Sequence, residues 1–235
     1  MLTRVGLVKT TLLDYPGRVA AILFTPGCDL RCPWCHNPGF VLPPYQADLK
    51  LTEALEILHQ RRKVLGGVVV TGGEPLFHED LPELLSTLKG LGLAVKLDTN
   101  GTYPHRLEAL VGTSSEPDYL AVDIKADLAH YAEATGVSVR TDLLCQTLAL
   151  TKKNWAGRSE FRLTWVPGLH THEQLEEIAS LSQGGPPLYV AGFRSGKTLD
   201  PSWAHRRSAT REEISVVVEE LQRRGVDARL REGTL

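Results

Sequence analysis

A chain of 235 residues, 42% of them hydrophobic, can bury a substantial core and is within the size of one α/β domain spanning residues 1–235. Its 26 Lys and Arg against 28 Asp and Glu leave a formal net charge of -2 with the basic residues scattered, which excludes the positive stripe of a nucleic-acid binder and the basic patch of a membrane-surface protein. No apolar run approaches the roughly 20 residues that cross a bilayer, and Met1–Gly6 carries no signal-peptide core, so the expectation is a cytoplasmic protein with neither membrane nor nucleic-acid partners.

The predicted elements alternate along the chain. Residues 2–9 and the turn Asp14-Tyr15-Pro16-Gly17 precede a first strand, Val19–Phe24, whose unbroken apolar character requires cover on both faces. After a long loop, Thr52 is expected to cap a helix running to about Lys63. The second strand, Val68–Thr71, runs into Gly72-Gly73-Glu74-Pro75, and Asp80 opens a helix to about Lys89. The third strand, Leu93–Leu97, ends in Asp98-Thr99-Asn100-Gly101 and is followed by a short helix near 103–111. The fourth, Tyr119–Val122, ends in Asp123-Ile124-Lys125, and a segment reaching Asn154 contains the next helix. The fifth, Glu160–Val166, is stopped by Pro167-Gly168; a helix at 171–182, a strand at 187–192 and a helix at 210–224 close the pattern. Six strands alternating with helices imply a parallel sheet with right-handed crossovers; six are too few for a closed eight-strand barrel, and periodicity leaves a doubly wound sheet open.

Three of the four cysteines lie in the loop after the first strand. Cys28, Cys32 and Cys35 form C-x3-C-x2-C, and Pro26, Gly27, Pro33, Pro38 and Gly39 keep the loop out of regular structure, so three thiolates can converge. Cysteines clustered in a reducing compartment read as metal ligands rather than disulfides. Three thiolates suit iron, and a four-iron cluster on three cysteines leaves one iron open to a small molecule. A zinc knuckle with His36 as fourth ligand, or a redox dithiol of Cys32 and Cys35, are the alternatives. Cys145, in an apolar helical stretch, reads as a small core residue.

Ligands of parallel α/β folds sit at the C-terminal ends of strands. Gly72 and Gly73 would let a ligand come close to the backbone there, the alternative being a tight turn. Asp123 and Lys125, two residues apart, face one side of their strand end. Arg162, inside the fifth strand, requires an anion or an acidic neighbour.

The cysteine spacing, with Trp34 just before the last cysteine, resembles the radical S-adenosylmethionine (SAM) enzymes. The resemblance implies a partial (β/α)6 TIM-like barrel open on one side, a 4Fe-4S cluster on Cys28, Cys32 and Cys35, and SAM at the open iron, where an electron from the cluster cleaves it to a 5'-deoxyadenosyl radical. Gly72-Gly73-Glu74-Pro75 resembles the family motif that holds the SAM amino group, and a branched side chain at Gly73 is expected to block SAM while sparing the cluster. Asp98-Thr99-Asn100-Gly101 and Asp123-Ile124-Lys125 resemble the matching segments of glycyl-radical-enzyme activating enzymes. On that resemblance Lys125 pairs with the SAM carboxylate, while Asp98, Thr99 and Asp123 contact its amino group or a bound monovalent cation. Asn-Gly turn chemistry and a solvated lysine are the plainer readings of the same residues. Trp34, His36, Asn100, Arg162 and Arg194 complete the expected cofactor contacts, Arg194 standing where some relatives place a histidine near the adenosine.

Lys9–Arg18, Gly27–Pro38 and Phe193–Asp200 further resemble activating proteins of the anaerobic ribonucleoside-triphosphate reductase. That implies a glycyl radical enzyme as protein substrate and a flavodoxin or ferredoxin as electron donor. Pyruvate formate-lyase activases share Cys-His-Asn-Pro and Asp-Thr-Asn-Gly; a small-molecule synthase of the carboxy-deazaguanine type and a non-enzymatic iron-sulfur sensor are the other classes. Four cysteines limit the chain to one cluster.

Overall fold

The computed structural model describes residues 1–231 and divides into two compact units. The first comprises Met1–Asp29, Asn37–Thr99 and His105–Leu120; the second comprises Leu30–His36, Asn100–Pro104 and the chain from Ala121 onward.

In the first unit, β1 (Arg4–Thr11) pairs antiparallel with both β2 (Ala20–Thr25) and β3 (Leu49–Lys50). Parallel pairing then joins β2 to β4 (Gly67–Gly72) and β4 to β5 (Ala94–Thr99), with Ala20 opposite Gly67 and Val70 opposite Leu97. Val68, Val69 and Val70 are fully buried in succession, as a strand covered on both faces must be. Helix α1 (Leu51–Arg61) starts one residue before Thr52, with Lys50 as its N-cap, so Thr52 is not the cap. Helix α2 (Leu81–Gly90) buries Leu81, Leu84, Leu85 and Leu88, the i, i+3, i+4, i+7 face of a helix laid on a sheet. Each such leucine contributes about 1.5–3 kcal/mol of transfer free energy. Short α3 (Pro104–Glu108) follows β5, and β6 (Tyr119–Asp123) begins in this unit.

The second unit holds the end of β6 followed by β7 (Ser159–Trp165), β8 (Leu188–Gly192) and β9 (Ala228–Leu230), the last three parallel with Phe161 opposite Leu188 and Leu188 opposite Ala228. Its helices are α4 (Tyr131–Thr135), α5 (Thr141–Asn154), α6 (Leu175–Ser182) and α7 (Arg211–Arg223). Thr210 caps α7 by accepting from the Glu213 backbone N–H at 3.2 Å while Glu213 accepts from the Thr210 N–H at 2.8 Å. The buried row Ile214, Val217, Val218 and Leu221 fixes which face of α7 turns inward.

The six predicted strands are β2, β4, β5, β6, β7 and β8. Sequence periodicity did not mark β1, β3 and β9: β1 is exposed or half-exposed everywhere except Val5, and the other two are only two and three residues long.

Candidate functional site

In the first unit the end of β4 lies against the start of the cysteine loop. Gly73 N–H donates to the Thr25 carbonyl at 2.8 Å and Glu74 N–H to the Gly27 carbonyl at 2.8 Å. Gly72 has φ of +118°, a conformation that favours glycine. A Cβ on Gly73 would stand 1.9 Å from the Gly27 oxygen and 2.8 Å from the Phe40 oxygen. The glycine pair therefore admits the chain's own backbone, the residue just before Cys28. A side chain at Gly73 would strike this loop first, which corrects the expectation that substitution there spares the cysteines.

Glu74 is fully buried, and its Oε1 accepts from Thr99 Oγ1 at 2.8 Å and from Leu76 N–H at 3.0 Å. Asp98 lies beside Lys96, with Nζ at 2.8 Å from Oδ1 and the lysine fully buried. Sequence reasoning passed over Lys96; its signal was a lysine inside an apolar strand two residues before an aspartate, on the same face.

The second unit gathers Cys32, Trp34, Asp123, Lys125 and Arg162. Asp123 accepts from Arg162 Nε at 2.6 Å and from Lys125 Nζ at 2.9 Å. The neighbour that the partly buried Arg162 required is thus an acidic one. Burial opposes ionisation of Asp123, but Arg162 and then Lys125 outweigh it and hold the carboxyl well below the usual range. Burial would lower Lys125 in turn, but Asp123 and then Cys32 outweigh it and keep the ammonium charged far above its ordinary range. The same ammonium lies over the Trp34 ring at 5.4 Å. Burial pushes the Cys32 thiol up to about 12, with Lys125 acting in the opposite direction.

His170, which the sequence did not single out, holds this group from behind. Its Nδ1 accepts from Val166 N–H at 2.8 Å and its Nε2 lies 2.8 Å from the Lys125 carbonyl, so the neutral ring with hydrogen on Nε2 satisfies both contacts. Burial lowers its pKa.

A cavity of about 340 Å³ opens beside these residues, lined among others by His36, Asp123, Arg162, Tyr189, Arg194 and Arg231. Three guanidinium groups against one carboxylate suit an anionic or zwitterionic ligand. His36 stacks on Phe193 with ring centres 5.4 Å apart, and its Nδ1 is 3.3 Å from the Lys197 carbonyl. Asn100 is turned to its own loop, Oδ1 accepting from Thr102 N–H at 3.0 Å and from its hydroxyl at 2.7 Å. Cys145 is only half-buried on α5, which corrects its reading as a core residue; the amphipathic face of α5 runs instead through Leu144 and Leu148.

Strand ends that collect a buried cysteine, a doubly paired carboxylate and an arginine-lined cavity define an α/β protein with a ligand site where parallel sheets place it. The model of the radical SAM superfamily matches residues 22–182. A Methanocaldococcus jannaschii protein named as a glycyl-radical enzyme activating enzyme is 32% identical over 180 residues, 74% of this chain and 72% of the relative. A 7-carboxy-7-deazaguanine synthase of Synechocystis is 40% identical over 78 residues, 33% of this chain and 36% of that one. Among solved structures, Streptococcus suis SuiB bound to S-adenosylmethionine superposes with a TM-score of 0.62 at 18% identity, covering 89% of this chain. This chain spans about half (51%) of the length of SuiB. The chain belongs to the radical SAM superfamily. Its fold is the open partial (β/α)6 barrel implied by the resemblance, and 4Fe-4S cluster and SAM are the cofactors of its family. Among the described residues no helix is long and apolar enough to cross a membrane.

Proposed function

We propose that residues 1–235 work as one catalytic domain that generates a glycyl radical on a partner enzyme, an anaerobic ribonucleotide reductase, in the cytoplasm with a flavodoxin or ferredoxin as electron donor. The observation that carries the activase reading is the similarity to the M. jannaschii protein over 74% of the chain. When bound together with SAM, a 4Fe-4S cluster would supply the one-electron cleavage of the sulfonium that yields methionine and a 5'-deoxyadenosyl radical.

Cys28, Cys32 and Cys35 are the residues to hold the cluster, and the donor set fits it. None of the four cysteines is in a disulfide. Cys32, with its thiol pushed up to about 12, becomes a thiolate by exchanging its proton for a soft cation. The Lys125 ammonium beside it balances negative charge that arrives in a buried place. Among the described residues no three His, Cys, Asp or Glu side chains could hold a single metal ion; a cluster is gripped at separate irons and makes no such demand. The Cys35 N–H donates to the Cys32 carbonyl at 3.0 Å, a tight turn that sets the spacing of these two sulfurs.

Lys125 and Arg162, fixed by Asp123, then offer cations to the SAM carboxylate. His36 and Arg194 border the cavity available to the rest of the molecule, and the Trp34 ring holds Lys125 in place. Gly72, Gly73 and Glu74, with Asp98, Thr99 and Asn100, shape the strand ends that meet the amino group or a monovalent cation. Anaerobic reconstitution with SAM and reductant should release 5'-deoxyadenosine. A glycyl doublet should appear in the electron paramagnetic resonance spectrum of the partner and vanish with Cys32→Ala.

The 40% identity to the synthase favours a second reading, a small-molecule radical SAM enzyme, over a third of the chain. SAM cleavage accompanied by a mass change in a small metabolite, with no doublet on any glycyl radical enzyme, would replace the first reading with this one.

A further inference from the structure

Between Arg194 and Arg211 the charge balance departs from that of the rest of the chain. Arg194, Lys197, Arg206, Arg207 and Arg211 stand there against the single carboxylate of Asp200, in a chain whose formal net charge is -2. All six of these residues are exposed. The loop that carries them is fixed. Gly196 N–H donates to the Ala204 carbonyl at 2.8 Å and Ser195 N–H to Ser208 Oγ at 2.9 Å, which closes its neck. Trp203, 8% exposed, packs edge-on against Phe193 with ring centres 6.4 Å apart, and the Arg206 guanidinium lies 3.5 Å from the centre of the Trp203 ring.

The same loop is bound to the cysteine loop, in the same compact unit. Asp200 N–H donates at 3.0 Å to the carbonyl of Pro33, which follows Cys32 in the chain. His36, the residue after Cys35, stacks on Phe193 and has its Nδ1 3.3 Å from the Lys197 carbonyl. Cys32 is buried, whereas Cys35 is half-buried and His36 is exposed. The cysteine loop therefore comes to the surface at the place where the cations stand.

An electron for a cluster on Cys28, Cys32 and Cys35 has to come from outside the chain. Tunnelling falls off steeply with distance, so its donor must rest where the cysteine loop comes to the surface. A prearranged set of cations at that place draws in and orients an acidic face. Arg207 is held bidentately by Glu213, both N–O distances being 2.7 Å, and Asp200 and Glu212 also stand among the cations. That mixture suits a protein face of mixed charge better than a phosphate backbone.

We propose that the loop from Arg194 to Arg211 is the docking surface for an acidic one-electron carrier protein that reduces the cluster. The proposal rests on the reading of the three cysteines as cluster ligands. In this step one electron leaves the reduced carrier and is taken up at the cluster; no bond is made or broken and no proton moves.

The test is the charge-reversed pair Lys197→Glu with Arg206→Glu, reconstituted anaerobically beside wild type. Neither side chain borders the cavity. Reduction is driven by two routes: reduced flavodoxin or reduced two-cluster ferredoxin, both acidic carriers, and photoreduced deazariboflavin, a small uncharged reductant. Stopped-flow absorbance follows the cluster, and chromatography follows 5'-deoxyadenosine. At low ionic strength the second-order rate constant with a carrier should fall about tenfold or more. The rate and the 5'-deoxyadenosine yield with deazariboflavin should stay at wild type. At ~1 M salt, where the screening length is about 3 Å, the wild type should slow to the rate of the variant. Lys153→Glu with Arg223→Glu is the control: it changes the net charge equally at the C-terminal ends of α5 and α7, and should leave the carrier rate unchanged. A carrier rate unchanged in the first variant overturns the proposal, and a weakened glycyl doublet in that case assigns the surface to the partner enzyme. An equal loss in the control overturns it, because net charge alone would then account for the effect. So does a parallel loss with deazariboflavin, which would make the loop a support of the cluster. A wild type reduced by deazariboflavin and by neither carrier overturns it too. Failure of the wild type to assemble a cluster, or to release 5'-deoxyadenosine with deazariboflavin, sinks the earlier reading as well, which separates the two.

Discussion

Replacing Gly73 by alanine adds one methyl group at the tightest backbone approach beside the cysteine loop. The new Cβ would lie 1.9 Å from the Gly27 oxygen, and real Cβ contacts essentially never fall under 3.0 Å, so the carbonyl must retreat by about 1.1 Å. Gly73 itself has no positive φ, so the cost is steric rather than conformational. The retreat breaks the Glu74 N–H bond to the Gly27 carbonyl at 2.8 Å and loosens the Gly27 N–H bond to the Phe40 carbonyl at 2.7 Å. Two such bonds are worth about 0.5–1.5 kcal/mol each, and overpacking adds about 1–3 kcal/mol. A loss of about 3–4 kcal/mol is expected, a large part of a domain's whole stability. For a chain of this size it lowers Tm by roughly 10 °C. The assay is urea unfolding of the metal-free protein together with iron and sulfide content after reconstitution. Because Cys28 follows Gly27, iron uptake should fall together with SAM binding. Gly90→Ala is the control: it ends α2, a Cβ there meets nothing within 4 Å, and it should be neutral or gain about 0.5 kcal/mol. A Gly73→Ala protein within about 1 kcal/mol of wild type that also takes up full iron would refute the steric argument.

Asp123→Asn leaves the Arg162 and Lys125 cations facing each other without their anion and should cost about 3 kcal/mol at pH 7. The Asp123 carboxyl is depressed in the folded state, so its contribution is complete above the unfolded value of about 4 and is lost as pH falls further; the penalty, read by urea titration, should shrink with it. His170 is lowered by burial, so the unfolded chain takes up a proton near pH 6.5 before the folded chain does. Stability should therefore decline as pH drops below about 6.5, by at most about 1.4 kcal/mol per unit, and His170→Asn should flatten that slope. Cys32→Ser should abolish the brown absorbance of the reconstituted protein, whereas half-exposed Cys145→Ser should keep it; loss of colour in Cys145→Ser with the fold intact would overturn the three-cysteine assignment.

The parallel strands were legible because burial on both faces leaves a run that polar residues cannot interrupt, as in Val68-Val69-Val70. β1 was not, because one side of Arg4–Thr11 meets solvent and its lysine and threonines dilute the pattern. Helix ends shifted by a residue where the capping signal was ambiguous: Thr52 has the right chemistry, but Lys50 takes the N-cap and its N–H is met by Glu53 at 3.3 Å.

The site was legible where its chemistry occupies contiguous residues and illegible where it is assembled from distant ones. Cys28, Cys32 and Cys35 stand in one loop, and Asp123 and Lys125 share one strand end, so spacing alone nominated them. Lys96, Tyr131 and His170 belong to no motif. Their contacts are ones that only the fold supplies: Asp98 across one strand pleat for Lys96, and the Val166 N–H and the carbonyl of Lys125 for His170. Tyr131 lies on an α4 held on the cysteine loop. A buried lysine, phenol or imidazole is costly unless paired, so its bare presence in an apolar stretch is the signal that sequence retains. The signal marks that a partner exists and leaves the choice of partner to the fold. For that reason the three loop cysteines and the Asp123–Lys125 pair were named in advance, whereas Lys96, Tyr131 and His170 emerged only with the structure.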